Sequence, residues 1–222
     1  MQLAKTSSGR FFEDFRFGDV IAHATPRTIT QGDRALYNSL YGSRFAVQSS
    51  DVFAEKIGYA AAPLDDLLVF HMVFGKTVPD ISINAVANLG YAQCRFLAPV
   101  YPGDTLTATS EVIGLKENSN GESGVVYVRS RGFNQHEDCV LDYVRWVMVR
   151  KADREGATSK PHLPPLDPLV AVEALGDACP LISVTDYDPI LSGSIFRFHD
   201  YELGEQIDHV DGVTIEEAEH QM

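Results

Sequence analysis

The sequence predicts an α+β fold in which a curved antiparallel sheet wraps one buried helix. Two observations carry this expectation. The run Leu67 to Phe74 is apolar on nearly every side, broken only by His71, and a helix apolar all round must be surrounded by protein. It is far shorter than the roughly 18 residues a membrane span needs, so the cover has to come from the chain itself. Short alternating segments from about residue 83 to 150, separated by turn signals, supply that cover.

In chain order, residues 10–33 form a lead-in with Phe12, Phe15, Phe17 and Gly18, then an extended Thr28-Ile29-Thr30. Residues 33–60 read as helical or irregular. Within them a helix near 52–58 takes Ser50 as its N-cap, Val52, Phe53 and Ile57 as its apolar face, and Gly58 as its stop. The apolar helix covers about 64–75. Pro63 suits its first turn, Asp65 and Asp66 favour the positive end of its dipole, and Gly75 ends it. Leu106, Ala108 and Ser110 alternate with Thr105, Thr107 and Thr109, as in a half-buried strand. Asn120-Gly121 signals a tight turn. Val125 to Val128, a turn near Asn134 to Asp138, and the run Val140 to Val149 complete the sheet. One helix wrapped by such a sheet is the hotdog arrangement; periodicity alone also allows a generic α+β domain. Residues 152–194, with Pro161, Pro164, Pro165, Pro168, Pro180 and Pro189, read as a linker or surface arm, in which Leu181 to Val184 could add an edge strand.

The chain has 222 residues and a formal charge of −13, from 31 acidic and 18 basic residues, without a Lys/Arg cluster. That field disfavours nucleic acid, and an anionic ligand would need locally placed cations. Three cysteines, Cys94, Cys139 and Cys179, form no CxxC pair, which points to a reducing cytoplasmic setting and no structural metal. Neither a signal peptide nor a membrane segment is expected. No phosphate-binding glycine loop or nucleophile elbow is present.

The lead-in recurs. Phe12, Asp14, Gly18, Ile21, His23, Thr28 and Ile29 match Phe198, Asp200, Gly204, Ile207, His209, Thr214 and Ile215 without a gap. Residues 1–151 are therefore expected to be one module, 152–194 a connection, and 195–222 the start of a second, incomplete one.

Phe12-Glu13-Asp14-Phe15-Arg16-Phe17-Gly18-Asp19 and the segment Phe96-Leu97-Ala98-Pro99-Val100-Tyr101-Pro102-Gly103-Asp104-Thr105-Leu106 resemble the MaoC-like dehydratases, a hotdog family of acyl-CoA hydratases. Tyr41 to Asp51 and Asn84 to Tyr91 resemble its two-module members whose substrate carries a free carboxylate. The resemblance implies reversible addition of water to an enoyl-CoA, no metal or redox cofactor, and edge-to-edge pairing of hotdog modules into a homo-oligomer. It also implies an Asp/His pair acting on water, and backbone N–H groups at the start of the central helix polarising the thioester. The family's Asp-x-Asn-Pro-x-His motif should fall at 43–48, where this chain reads Ser43-Arg44-Phe45-Ala46-Val47-Gln48; both Asp and His are missing. The usual His-Gly that opens the central helix is replaced around Asp65-Asp66. In two-module members the pair sits in the second module while the first shapes the acyl pocket.

Five residues are the substrate-site candidates. Arg44 would pair a substrate carboxylate bidentately, or be an exposed loop residue. Gln48 stands where the family's His would be and can hydrogen-bond without base strength. Asp65 and Asp66 cap the helix or face the pocket. His71 reads as a core histidine or a pocket residue. Tyr41 reads as packing, His23 and His209 as structural at corresponding positions, and Asp208-His209 as no dyad, since neighbours on a strand face opposite ways. A non-catalytic acyl-CoA-binding or scaffolding module remains the alternative, and a hotdog thioesterase a third.

Overall fold

The period-two segments form five strands in the computed structural model, which describes residues 8–41, 45–155, 160–167, 169, 171–176, 182–210 and 212–220. They are β1 (Val20–Thr28), β2 (Ala85–Phe96), β3 (Thr105–Glu117), β4 (Ser123–Phe133) and β5 (Cys139–Arg150). Every pairing is antiparallel, in the order β1-β3-β4-β5-β2. The chain separates into two units, Met1–Gln31 with Leu64–Leu181, and Gly32–Pro63 with Ile182–Met222; the sheet belongs to the first.

Short turns set the register of the first unit. At Asn120-Gly121 the glycine takes φ 66°, and Asn118 N donates to Ser123 O at 3.0 Å. At the next turn Asn134 Oδ1 accepts from the backbone of His136 and Asp138, closing β4 onto β5. Leu106, Ala108, Ser110 and Val112 of β3 are all buried, as their alternation predicts.

Helix α4 (Asp66–Ile81) packs on β1, β3, β4 and β5. It departs from the sequence reading in two ways. It runs past Gly75, because the next turns place Thr77 and Ile81 fully inside. Burying an isoleucine contributes about 1.5–3 kcal/mol against about 1 kcal/mol for a helical glycine. Pro79 removes one N–H near the end, and Ser82 N donates to Val78 O at 2.8 Å to finish the last turn. The helix is also not covered on every side. Leu68, Val69, Val73, Thr77 and Ile81 are buried, whereas Leu67 and His71 are exposed and Phe70 and Phe74 are half-buried. One face meets the sheet and another stays open.

The lead-in closes the other end of the core. Phe12 and Phe15 pack with Ile21, Ile81, Val112, Leu115, Val126 and Val149. The Phe12 ring occupies the space a side chain on β4 would need: a Cβ on Gly124 would fall 2.3 Å from it. Past the sheet, His162 pairs with Leu115 through two 2.8 Å backbone hydrogen bonds.

In the second unit lie α1 (Gln31–Tyr41) beyond its first residue, α2 (Ala46–Ser49), α3 (Asp51–Lys56) and α5 (Glu217–His220). Ser50 caps α3, its Oγ accepting from Phe53 N at 3.2 Å, and Gly58 follows at φ 110°. Phe53 and Ile57 are buried, but Val52 is 78% exposed and leaves the expected apolar face. Leu181 lies outside the described residues, and the expected edge strand is absent from those that follow it: Val184–Asp186 is a 3-10 turn, with Ser183 N donating to Ile57 O.

The repeated lead-ins share a local shape. Phe12–Asp14 and Phe198–Asp200 are both 3-10 turns, and the aspartate closes each by accepting from the residue before it, Phe11 N at 2.8 Å and Arg197 N at 2.7 Å. Gly18 and Gly204 take φ 84° and 85°. A second acid then caps each following turn, Asp19 on Arg16 N and Glu205 on Glu202 N. Burial differs completely: Phe12 is 4% exposed and Phe198 97%.

Candidate functional site

The start of α4 is fixed from both sides. Leu64 N donates to Val100 O at 2.8 Å, and Asp65 Oδ1 accepts from Leu67 N at 2.8 Å. Asp66 is exposed, yet packing around its carboxyl and the adjacent Asp65 charge push its pKa above the usual carboxylate range. Two acids at the positive end of the dipole stabilise the helix and take up a donor that a substrate oxyanion would need. Asp65 is thus the N-cap, and this helix start is a poor cradle for negative charge. Asp65→Ala is expected to lower stability by about 1 kcal/mol and Asp65→Asn by only a few tenths, measured by urea unfolding.

Deeper in the first unit, a chain of polar groups crosses the apolar core. His23 Nδ1 meets Asp80 Oδ2 at 2.8 Å, and His23 Nε2 meets Ser110 Oγ at 2.7 Å. Ser110 in turn meets Ser130 Oγ at 2.7 Å. An ionised Asp80 accepts, so Nδ1–H donates to it, Nε2 accepts from Ser110, and Ser110 accepts from Ser130. This connectivity matches a serine–histidine–aspartate relay. Ser110, however, is 1% exposed and its oxygen is already engaged, so no substrate reaches it and the chain is a core-fixing network.

Beside this network stands an aromatic cluster on the open face of α4. Phe70 contacts Phe74, Tyr91 and Tyr143, with ring centroids 5.7, 5.6 and 5.1 Å apart. Arg145 of β5 lies behind it, its Cζ 4.6 Å from the Phe74 ring centroid and its Nη2 donating to Thr77 Oγ1 at 2.9 Å. Arg145 is 1% exposed. The sequence reading missed Arg145, Tyr143 and Thr77.

The sequence-predicted residues fall in different places. Asp66 and His71 lie on α4, and Asp65 caps it. His71 is exposed, with an edge-on contact to Phe70, so the core-histidine reading is corrected: position 71 lies on the helix face away from the buried stripe. Gln48 lies on α2 of the second unit, where its Oε1 is buried and, among the described residues, has no hydrogen-bond partner. Arg44 lies outside the described residues. Tyr41 packs on Tyr37 at 4.8 Å, and Asp208 and His209 are both exposed. The thiols of Cys94 and Cys139 are pushed up by burial, which disfavours nucleophilic use. Among the described residues no helix is long and apolar enough to cross a membrane, and no cluster of three His, Cys, Asp or Glu could hold a metal.

The family model described as mesaconyl-CoA hydratase matches residues 2–160. The chain is 60% identical over 219 residues to a mesaconyl-CoA hydratase from Cereibacter sphaeroides, covering 98% of this chain and 63% of that protein. It is 60% identical over 218 residues to a beta-methylmalyl-CoA dehydratase from Chloroflexus aurantiacus, covering 98% and 61%. A crystal structure of a MaoC domain dehydratase protein from Chloroflexus aurantiacus superposes with a TM-score of 0.92 at 59% identity, over 99% of this chain and 62% of that one. A Mycobacterium tuberculosis protein described as having a double hotdog fold gives a TM-score of 0.62 at 25% identity, over 69% of this chain and 47% of its own. The chain thus has the hotdog fold and spans less than two thirds of the curated relatives it matches. With the family model matched over residues 2–160, the chain belongs to the mesaconyl-CoA hydratase family.

Proposed function

We propose that this chain is part of a hydro-lyase that interconverts mesaconyl-CoA and β-methylmalyl-CoA, adding or removing water at the enoyl-CoA double bond. The observation that carries this reading is 60% identity over 98% of the chain to a mesaconyl-CoA hydratase. In this reading residues 1–151 form the first hotdog module, 152–194 connect it, and 195–222 open a second. The matched turns at Phe12–Asp14 and Phe198–Asp200 support that division.

Water is a poor nucleophile and needs a positioned base, and the enolate-like charge needs preorganised donors. Residues 43–48 carry no acid/base pair, and Asp65 takes a backbone donor at the start of α4. The first module therefore supplies binding surface, and the catalytic pair belongs to a second module. Strand β2, at the sheet edge with Val86, Leu89 and Tyr91 exposed, is the surface through which modules pair in the working oligomer. The enzyme works in the cytoplasm, a setting that the lack of any CxxC pair supports.

The test follows loss of enoyl-thioester absorbance with mesaconyl-CoA. Residues 1–222 alone are expected to give no loss above the uncatalysed background, while the same residues within a two-module polypeptide of the relatives' length turn over at about 1 s⁻¹ or faster. Turnover by 1–222 would move the catalytic pair into this chain. An inactive two-module polypeptide would remove the hydratase reading.

A further inference from the structure

The Arg145 guanidinium sits in an unusual place for a cation. It is almost wholly buried, and among the described residues no carboxylate lies within ion-pair distance. Its Nη2 donates to Thr77, and its Nε is buried without an acceptor. A guanidinium has five N–H donors, and leaving a desolvated charge unpaired is strongly unfavourable. A methionine or leucine at this position would pack on Phe74 without that penalty. The neighbouring Tyr143 hydroxyl is also buried without a well-formed hydrogen bond, although the Ser130 and Thr77 hydroxyls are close by. The guanidinium therefore has more donors than acceptors, and the Tyr143 hydroxyl lies beside it.

Their surroundings specify the missing partner. Phe70, Phe74 and Tyr91 form an apolar wall in front of them, and all three keep some contact with solvent. Phe74 covers one face of the guanidinium, with its ring centroid 4.6 Å from Cζ, and is itself half-buried. The complement of this arrangement is a short apolar chain ending in a planar, two-oxygen anion. A formal charge of −13 opposes any anion at long range, so selection for one requires such a buried local cation.

We propose that Arg145, with the Tyr143 hydroxyl beside it, binds the free carboxylate of an acyl thioester and so selects carboxylated substrates over uncharged ones. This rests on the reading that the chain handles enoyl-CoA esters, and it deepens that reading by moving the carboxylate partner from the loop residue Arg44 to the interior of the first module. Arg145 takes no part in bond making; it fixes the remote end of the substrate.

The experiment uses the two-module protein and two substrates, mesaconyl-CoA and the same thioester with its carboxylate methylated. The unaltered protein is expected to prefer the acid by about 100-fold in kcat/KM, mainly through KM. Arg145→Met should reverse that preference, and Arg145→Lys should restore only part of it, because an ammonium lacks the planar fork. Equal losses on both substrates in Arg145→Met would assign Arg145 to packing alone and overturn the proposal. If Arg145→Met does not fold, the unaltered protein decides: equal use of acid and methyl ester overturns the proposal. Binding of the acid thioester in preference to its ester, without hydration by any form, would keep the carboxylate site and remove the hydratase reading. Hydration with an unchanged preference in Arg145→Met would do the reverse.

Discussion

Phe12→Ala is expected to lower the unfolding free energy of the chain by about 3–5 kcal/mol, while Phe198→Ala in the matching position changes it by less than about 0.5 kcal/mol. Both phenylalanines open the same turn, but only Phe12 is packed in a core, with Ile21, Val112 and Val126 around it. Its ring lies where a Gly124 side chain would stand, with Cε2, Cδ2 and Cζ 2.3, 2.4 and 2.5 Å from an added Cβ. Gly124→Ala alone should therefore destabilise by about 1–3 kcal/mol through overpacking. In the Phe12→Ala background most of that loss should vanish, because the ring in the way is gone. A double-mutant cycle in urea reads this as a coupling of about 1 kcal/mol or more. Within a two-module polypeptide Phe198→Ala should become as damaging as Phe12→Ala. If it stays neutral there, residues 195–222 do not open a second module.

What the sequence made legible is what neighbouring residues decide among themselves. Asp14 and Asp200 build the same cap, and Gly18 and Gly204 the same left-handed step, whether or not a core lies beside them. The Ser50 cap and the Asn120-Gly121 turn are local in the same sense. Gly75 misled because a helix continues through glycine whenever later turns bury enough, and the burial of Thr77 and Ile81 is a tertiary fact. His71 misled because an apolar sequence does not say which faces the chain itself covers. The polar network joins positions 57 and 87 residues apart, which no spacing rule reaches. Arg145 did leave a trace. It shares the inner face of β5 with Tyr143, Val147 and Val149, and a cation at an inward position of a strand is a signal that reading the run as simply apolar passes over.

The stability of the chain should fall as pH drops below about 6.5, and His23 should be the cause. Burial pulls its imidazole below the ordinary 6.5, ahead of the hydrogen bond and charge of Asp80, which pull upward; Arg145 and Arg10 add to the lowering. The unfolded chain therefore binds the proton first. Between 6.5 and the lower native value the unfolded state holds more protons, so stability rises with pH across that window and is lost as pH descends through it. A structural reason accompanies the sign. Neutral Nε2 accepts from Ser110; protonating it makes it a donor, so the Ser110 hydroxyl would have to turn its proton toward Ser130 and the buried chain would reverse. His23→Gln should cost about 1–3 kcal/mol at pH 7.5, since Asp80 and Ser110 lose a shared partner. Its stability should then depend less on pH, so the gap to the unaltered chain narrows toward pH 5. Asp66, whose carboxyl is raised, titrates upward from the carboxylate range and enters both curves alike. Urea unfolding at a series of pH values gives the difference curve directly, and a gap constant from about pH 7.5 to 5 would mean that His23 binds its proton equally in the folded and unfolded chain, against the lowering that burial imposes.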